Sequence, residues 1–329
     1  MFPHRRIFRK FGGTLVLSVF GIWPAALANA QTRQLSIAPE TNEIVRRAAD
    51  QVNKYREEFR NLLAKEVRTF RIYDKKSSLK KERVIVSNFL VYDLSTTKDQ
   101  TTEFRNIVSV DGKVVSNGDE RAVELFEKVA RASNVHKELE RIQKESLRYD
   151  EEIKMFGLTL FQAIALNEKV RDVIDFEFAG TAKIQDTNAI VLKFKQTKPS
   201  LYINTSGNPP VDAVLDYEYG GSESAESMID GTLWIDSQTF QVVREERKLW
   251  IREKGMNSPA LLTSNIFEFE ASRFDIRTPK HITHVEYWVD DGHRGAKHIE
   301  IEYDYSAFTR PDVEVVPDKS KNTSSNRIE

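Results

Sequence analysis

Apolar residues recur at intervals of three and four near the start of the chain. Between Pro39 and Ala64 they form a single stripe, made of Ile44, Ala48, Val52, Tyr55, Phe59 and Leu62. This spacing places all six side chains on one face of a helix. A proline at the start and acidic residues in the first turn suit a helix N-terminus. The pattern predicts an amphipathic helix over 39–64 that lies against another part of the protein.

The pattern then changes to the alternation that is typical of β-strands. Segments rich in β-branched and aromatic residues cover 68–73, 83–92, 101–110, 173–181 and 189–196. Five more strands are predicted at 230–236, 240–252, 261–273, 281–290 and 297–305. Turn residues separate neighbours at Asp111-Gly112, 237–239 and 291–293. In the last strand Ile299, Ile301, Tyr303 and Tyr305 alternate with polar residues, which predicts one packed face and one wet face.

Two segments interrupt the strands. Residues 119–149 have helical spacing and the apolar stretch 156–166 predicts a short buried helix, so 119–166 is interpreted as a helical insert. Residues 198–227 are rich in proline, glycine and serine, which predicts a long loop, and loops of this length often act as lids. The polar residues 311–329 predict a disordered tail.

The order of these elements predicts an α+β fold. We expect one large curved antiparallel sheet, an incomplete β-barrel, with helices packed on its concave face. Residues 31–310 are expected to form a single domain that includes the helical insert and the long loop.

The first thirty residues have the pattern of an export signal. Arg5, Arg6, Arg9 and Lys10 precede an apolar stretch over 11–27, and Ala28-Asn29-Ala30 matches the small-x-small pattern of a cleavage site. We predict cleavage after Ala30 and a periplasmic or secreted protein that does not span the membrane. A membrane anchor is the alternative, although a spanning helix needs about 20 apolar residues. The arginine pair also resembles the twin-arginine motif, and both that route and ordinary export stay open.

Composition excludes several kinds of chemistry. The chain has no cysteine, which excludes disulfides, thiolate metal sites and cysteine nucleophiles. Without the four basic residues of the leader it has 45 basic against 50 acidic residues, a net charge of −5, so nucleic acid is not an expected partner. No HExxH, GxSxG or phosphate-binding glycine loop is present. We therefore expect no cofactor, no metal and no enzymatic activity.

Two polar groups in the last strands are candidate reactive sites. Four histidines, His281, His284, His293 and His298, fall in or beside two neighbouring strands. His281 and His284 are three residues apart, which puts them on opposite faces and disfavours a metal site. The carboxylates of Glu300 and Glu302 could serve glycoside hydrolysis, but such a row is typical of a solvated face. A hydrolase stays the minor alternative.

Two short motifs carry a family resemblance. Ile107-Val-Ser-Val-Asp-Gly-Lys113 resembles a strand-turn-strand of the periplasmic lipoprotein-carrier superfamily, the LolA-like proteins. Gly231-Thr-Leu-Trp-Ile-Asp236, followed by Thr239, Val243 and Arg244-Glu245, resembles a hairpin of the same superfamily. The resemblance implies an incomplete β-barrel whose hollow is plugged by helices and binds acyl chains or apolar side chains.

Aromatic residues crowd the C-terminal strands. They either fill an ordinary core or form a concave apolar wall that the first helix covers only partly. The candidate ligand-binding set, wall and helix plug together, is Tyr55, Phe59, Phe104, Trp234, Phe240, Phe267, Phe269, Tyr287 and Tyr303. The sequence thus favours a non-enzymatic periplasmic carrier or sensor whose partner is a lipid or a lipidated protein. The alternative is an envelope protein-interaction or structural module without a small-molecule ligand.

Overall fold

The computed structural model describes residues 37–60, 62–93, 101–115, 141, 144–149, 157–205, 213–217, 225–254, 256–290 and 294–310. The predicted export signal, most of the helical insert, the turn at 291–293 and the predicted tail lie outside these residues. So does much of the predicted loop over 198–227.

The first helix, α1, spans Ile37–Phe59. All six residues of the predicted stripe are buried, and Ala48 and Phe59 have almost no exposed surface. The predicted end at Ala64 is wrong, because Leu63 and Ala64 already belong to the first strand. Both residues pair with a neighbouring strand, so the chain has already left the helix at this point.

Thirteen strands follow α1 in the described residues. They are β1 (Leu63–Tyr73), β2 (Leu79–Asp93), β3 (Thr101–Val110), β4 (Lys113–Val114), β5 (Ile174–Ile184), β6 (Thr187–Gln196), β7 (Ile203–Asn204), β8 (Leu215–Asp216), β9 (Glu226–Asp236), β10 (Val242–Arg252), β11 (Ala260–Ala271), β12 (Arg277–Tyr287) and β13 (Lys297–Thr309). Every predicted strand is present, and most are longer than predicted. The turn at Asp111-Gly112 is confirmed, with both residues in the left-handed region that such hairpins need.

Eleven of the strands form one antiparallel sheet in the order β4-β3-β2-β1-β13-β12-β11-β10-β9-β6-β5. In the described part of the chain the edge strands β4 and β5 do not pair with each other, so the sheet stays open. The predicted α+β fold, an incomplete barrel with a helix on its buried face, is confirmed. The described part of the predicted loop is more ordered than expected, since β7 and β8 pair in parallel within it.

The apolar stretch after the insert is buried, as predicted, but it is not one helix. It consists of two 3₁₀ turns, Leu158–Phe161 and Ile164–Leu166, and a one-turn helix follows at Glu168–Arg171. Between the two turns Ala163 has a φ of 45°, a left-handed conformation that interrupts a helix. We call residues Gly157–Leu166 the strap.

The strap shows that the sheet is strongly curved. Thr159 bonds to Glu103 on β3, and Ala163 bonds to Glu245 on β10. In a flat sheet these strands would be six spacings apart, about 29 Å. The two strap residues are only four positions apart, and a 3₁₀ turn rises about 2 Å per residue. Even with two glutamate side chains to bridge the remainder, the sheet has to curl around the strap.

Candidate functional site

The inner face of the sheet is the face that packs against α1 and the strap. Helix α1 inserts a stacked aromatic pair here, with the ring centroids of Tyr55 and Phe59 4.7 Å apart. Around this pair lie Phe269, Phe89 and Phe308, whose centroids are 6.3, 6.4 and 6.0 Å from the nearer ring of the pair. The phenol of Tyr55 donates a hydrogen bond to the carbonyl of Thr159 in the strap at 3.0 Å. The helix, the strap and the sheet therefore meet in one aromatic core.

The structure brings part of the predicted ligand-binding set together on this face. The members that are buried in the same hydrophobic core are Tyr55, Phe59, Phe267, Phe269 and Tyr303. Phe240 borders that core from the turn before β10, with the Arg47 guanidinium of α1 3.6 Å above its ring. These six residues define the apolar wall and its plug.

The other three predicted residues lie elsewhere. Trp234 alternates with the buried Leu233 and Ile235, so it points to the outer face, where Arg244 lies 5.5 Å from its ring. Tyr287 is also on the outer face, and its hydroxyl lies 2.9 Å from that of Ser264. Phe104 is buried, but its side chain is on the opposite face from those of its neighbours Glu103 and Arg105.

Acidic, basic and histidine side chains occupy the inner face, which the alternation pattern did not predict. None of them is more than 6% exposed, and they are Glu66, Arg68, Glu103, Arg105, Glu245, Arg247, His284 and Glu286. Burying charges is costly unless they are paired, so the contacts they make determine whether this face can persist. A signal was present in β10, where Glu245 and Arg247 share the parity of the apolar Leu249 and Ile251.

One buried cluster joins β1, β3 and the strap. Arg105 donates to Glu66 at 2.8 Å and to Glu103 at 2.8 Å. The second oxygen of Glu103 accepts the backbone N–H of Thr159 at 2.8 Å and its hydroxyl at 2.6 Å. Burial would lower the pKa of Arg105, but the two carboxylates outweigh it and hold that pKa well above the ordinary value. The N-terminal part of the strap is thus bound by a buried, charge-compensated cluster.

A second buried pair binds the other part of the strap. Glu245 accepts the backbone N–H of Ala163 at 2.7 Å, and Arg247 donates to the carbonyl of Phe161 at 2.8 Å. The two side chains also pair with each other at 3.1 Å. Burial raises the pKa of Glu245, an effect that Arg247 and Ala163 offset only in part. The Arg247 guanidinium lies 4.7 Å from the ring of Phe267, so charge and apolar wall are in direct contact.

A third cluster surrounds His284. Its Nδ1 lies 2.6 Å from the amide oxygen of Asn265, and its Nε2 lies 3.1 Å from Glu286. Tyr217, which comes directly after β8, reaches the other oxygen of Glu286 at 3.4 Å. A histidine–carboxylate pair can act as a base, but His284 has no exposed surface here. The cluster ties the segment after β8 to the sheet.

Of the other candidate reactive groups, His281, Glu300 and Glu302 lie on the outer face of the sheet, whereas His284 belongs to the inner face. Within the described residues no group of three or more His, Asp or Glu is placed to hold a metal ion. His281 and His284 are on opposite faces, as predicted, and His281 pairs with Asp304 at 2.8 Å. Glu300 and Glu302 share the guanidinium of Arg71, each at 3.1 Å. Burial opposes ionisation of Glu300, but Lys297 and Arg71 lower its pKa, as expected for a paired carboxylate.

Among the described helices, none combines the length and the apolar character that crossing a membrane requires.

The curled, open sheet with its helical plug defines the class of protein as an α+β incomplete barrel. No protein-family model matches the sequence, and no curated protein matches it. Solved structures do match. A LolA superfamily protein from Nitrosomonas europaea is 9% identical with a TM-score of 0.33, over 83% of this chain and 94% of that one. A DUF1329 family protein from Desulfovibrio piger is 12% identical with a TM-score of 0.31, over 84% and 94%.

A third match is the lipoprotein LppX of Mycobacterium tuberculosis, 13% identical with a TM-score of 0.26, over 83% of this chain and 97% of that one. At these identities the likeness concerns the fold alone.

Proposed function

We propose that this chain is a non-enzymatic binding protein of the cell envelope that takes up an apolar ligand, an acyl chain or a lipidated protein, against the inner face of its sheet. The observation that carries the proposal is the aromatic pair of α1. Their rings lie against the aromatic residues of the sheet, where the proposal places the apolar part of a bound ligand. The envelope location rests on the predicted export signal.

The contacts of α1 support its role as the moving part in this proposal. At its C-terminal half, Lys54 pairs with Asp275, and Glu58 pairs with Arg310, and all four side chains are more than a third exposed. Exposed pairs of this kind contribute about 0–1 kcal/mol each. The helix is held mainly by apolar burial, which a ligand can replace at about 0.8 kcal/mol per buried methylene.

The contacts of the strap support a fixed position for it when a ligand binds. Its bonds run to Glu103 and Glu245, which are buried and charged. Removing one partner of a buried charge pair costs about 3–5 kcal/mol, several times the effect of an exposed pair. We therefore expect the strap to form the floor of the site and α1 to form its removable cover.

A crosslink tests this proposal. The chain has no cysteine, so the substitutions Glu58→Cys and Arg310→Cys introduce its only two thiols. A short bis-maleimide that joins them fixes α1 to the residue directly after β13. A matched control joins Arg71→Cys to Glu82→Cys, an ion pair on the outer face of β1 and β2. We expect a long-chain fluorescent fatty acid to bind the unlinked protein and the control, and not the α1-linked protein. Equal binding by both linked proteins would contradict the moving helix, and failure of the unlinked protein to bind would contradict the function itself.

A further inference from the structure

A groove of about 620 Å³ lies on the outer face of the sheet, across β5, β6, β9 and β10. Lining residues such as Asp230 and Lys248 alternate along their strands with buried residues, which places the groove on the outer face of the sheet. A neighbouring hollow of about 340 Å³ shares Lys195 and Asp230 with the groove, so the two lie side by side. Along β9 the lining runs from Glu226 to Thr232, a length of about 20 Å at the rise of a β-strand.

Charges of both signs line the larger part in an ordered way. Strand pairing sets one row across the groove, made of Asp175, Lys195, Asp230 and Lys248. The next row is Glu177, Lys193, Thr232 and Glu246. Of these, Glu246 pairs with Arg244 at 2.8 Å. Lys193, Lys195 and Lys248 form no ion pair within the described part of the chain, whereas Arg71 and Lys297 elsewhere on the outer face do.

The smaller hollow is apolar at its centre. Met228 and Trp250 lie opposite each other on β9 and β10, and Pro259 closes the end. The hollow therefore offers a bound side chain the apolar surface of Met228 and Trp250.

We infer that this groove binds an extended segment of a partner protein. Side chains on one face of an extended chain repeat about every 6.8 Å, which is also the repeat of Met228, Asp230 and Thr232 along the groove. The mixed signs disfavour a polyanion or a polycation, because either would meet like charges in each row.

The lining also defines the chemistry of the segment. An apolar residue fits over Met228 and Trp250, and the segment then presents a side chain to each charged row in turn. The second row holds Glu177 and Glu246 against the single Lys193. Arg244 pairs with Glu246 but shares its guanidinium with Glu268, so the carboxylates stay in excess and we expect a basic residue there. The site is on the opposite face from the apolar wall, and it can operate whether or not that wall takes a ligand.

The test uses an array of acetylated octapeptides. Each peptide has one leucine and is otherwise made of serine and threonine, apart from two variable positions. These are the second and fourth residues after the leucine, and they carry every combination of Lys, Glu and Gln. A second set has the reversed sequences, because the direction of the bound chain is not fixed by the lining. We expect binding to require the leucine and to favour Lys at the fourth position. Peptides with Glu there should bind about two- to fivefold more weakly, the effect of one exposed charge pair.

Charge reversal in the protein makes the test specific. The double variant Glu177→Lys and Glu246→Lys should prefer Glu over Lys at the fourth position, whereas Glu270→Lys, exposed on β11 but outside the groove, should leave the preference unchanged. An unchanged preference in the double variant, or no binding above that of leucine-free peptides, would overturn the inference. Binding of phosphatidylethanolamine vesicles or chitooligosaccharides that the double variant abolishes, without peptide binding, would overturn the ligand class.

Discussion

The carboxylate of Glu245 accepts the backbone N–H of Ala163 at 2.7 Å, and neither residue has exposed surface. Glu245 is on a strand, Ala163 is in the strap, and Arg247 completes the contact by donating to Phe161. A buried carboxylate that binds a main-chain N–H fixes the backbone of the strap directly. The identity of the strap side chains then matters less than the presence of this charge pair.

Removing the carboxylate should destabilise the protein strongly. In Glu245→Ala the Arg247 guanidinium stays buried without its partner, so we expect a loss of about 3–5 kcal/mol in the free energy of unfolding, measured by urea titration. The matched control is Glu246→Ala on the outer face, which should cost about 1 kcal/mol or less. Similar losses in the two variants would mean that the strap does not depend on Glu245.

Truncating Phe59 in the plug should cost far more unfolding free energy than truncating an exposed aromatic residue. Phe59 is 1% exposed and Phe178 is 39% exposed. Phe59→Ala is expected to cost about 3–5 kcal/mol in unfolding free energy, because it leaves a cavity against the sheet. Phe178→Ala should change stability little. If the proposed function is correct, Phe59→Ala also binds the fluorescent fatty acid more tightly, since less apolar surface has to be displaced. Unchanged stability would contradict the position assigned to α1.

The contacts of Asp236 predict that the folded state loses stability at low pH. It ends β9, accepts the N–H groups of Gln238 and Thr239, and pairs with Arg277 at 2.8 Å. Burial alone would raise its pKa, but these bonds outweigh burial and lower the pKa below 3.8. The folded state therefore binds fewer protons than the unfolded state in this range, and the stabilisation is present above pH 3.8 and lost as pH falls through the folded pKa.

The measurement compares the wild type with Asp236→Asn in urea titrations at several pH values. At neutral pH we expect the wild type to be more stable by about 1–2 kcal/mol. The difference should shrink below pH 3.8. A difference that stays constant over this range would show that ionisation of Asp236 is not what stabilises the turn.

Gly231 should not accept a side chain. A Cβ atom built there would lie 2.0 Å from the carbonyl oxygen of Glu246 and 2.7 Å from the ring of Phe194. Backbone cannot move aside cheaply, so Gly231→Ala is expected to lower the melting temperature by several degrees, with a cost of at least about 1–3 kcal/mol. Thr232→Ala, the next residue on the opposite face, serves as the control. Equal melting temperatures would contradict the close approach of β9, β10 and the Phe194 ring.

Periodic segments were the part of the fold that could be predicted from sequence. The stripe from Ile44 to Leu62 and the alternation from Ile299 to Tyr305 each repeat often enough to fix a face. Trp234 shows why other assignments could not be made. Leu233, Trp234 and Ile235 are all apolar, so alternation did not tell which of them points inward.

The buried charges could not be predicted for a different reason. Alternation places polar residues in solvent unless something covers them, and what covers Glu245 and Glu103 is the strap, a distant part of the chain. Its two 3₁₀ turns have no periodic pattern of their own. Their conformation depends on tertiary bonds, as the left-handed Ala163 illustrates, and local sequence carries little information about such bonds.

The strap also has a consequence for how the chain folds. Thr159 bonds 56 residues back to Glu103, and Ala163 bonds 82 residues ahead to Glu245. Contacts between such distant residues form late, because the intervening chain has to be ordered first. During synthesis the strap is made before β10, so it has to wait for the C-terminal strands. We expect its docking to complete the native state, and to link the two halves of the sheet into one cooperative unit.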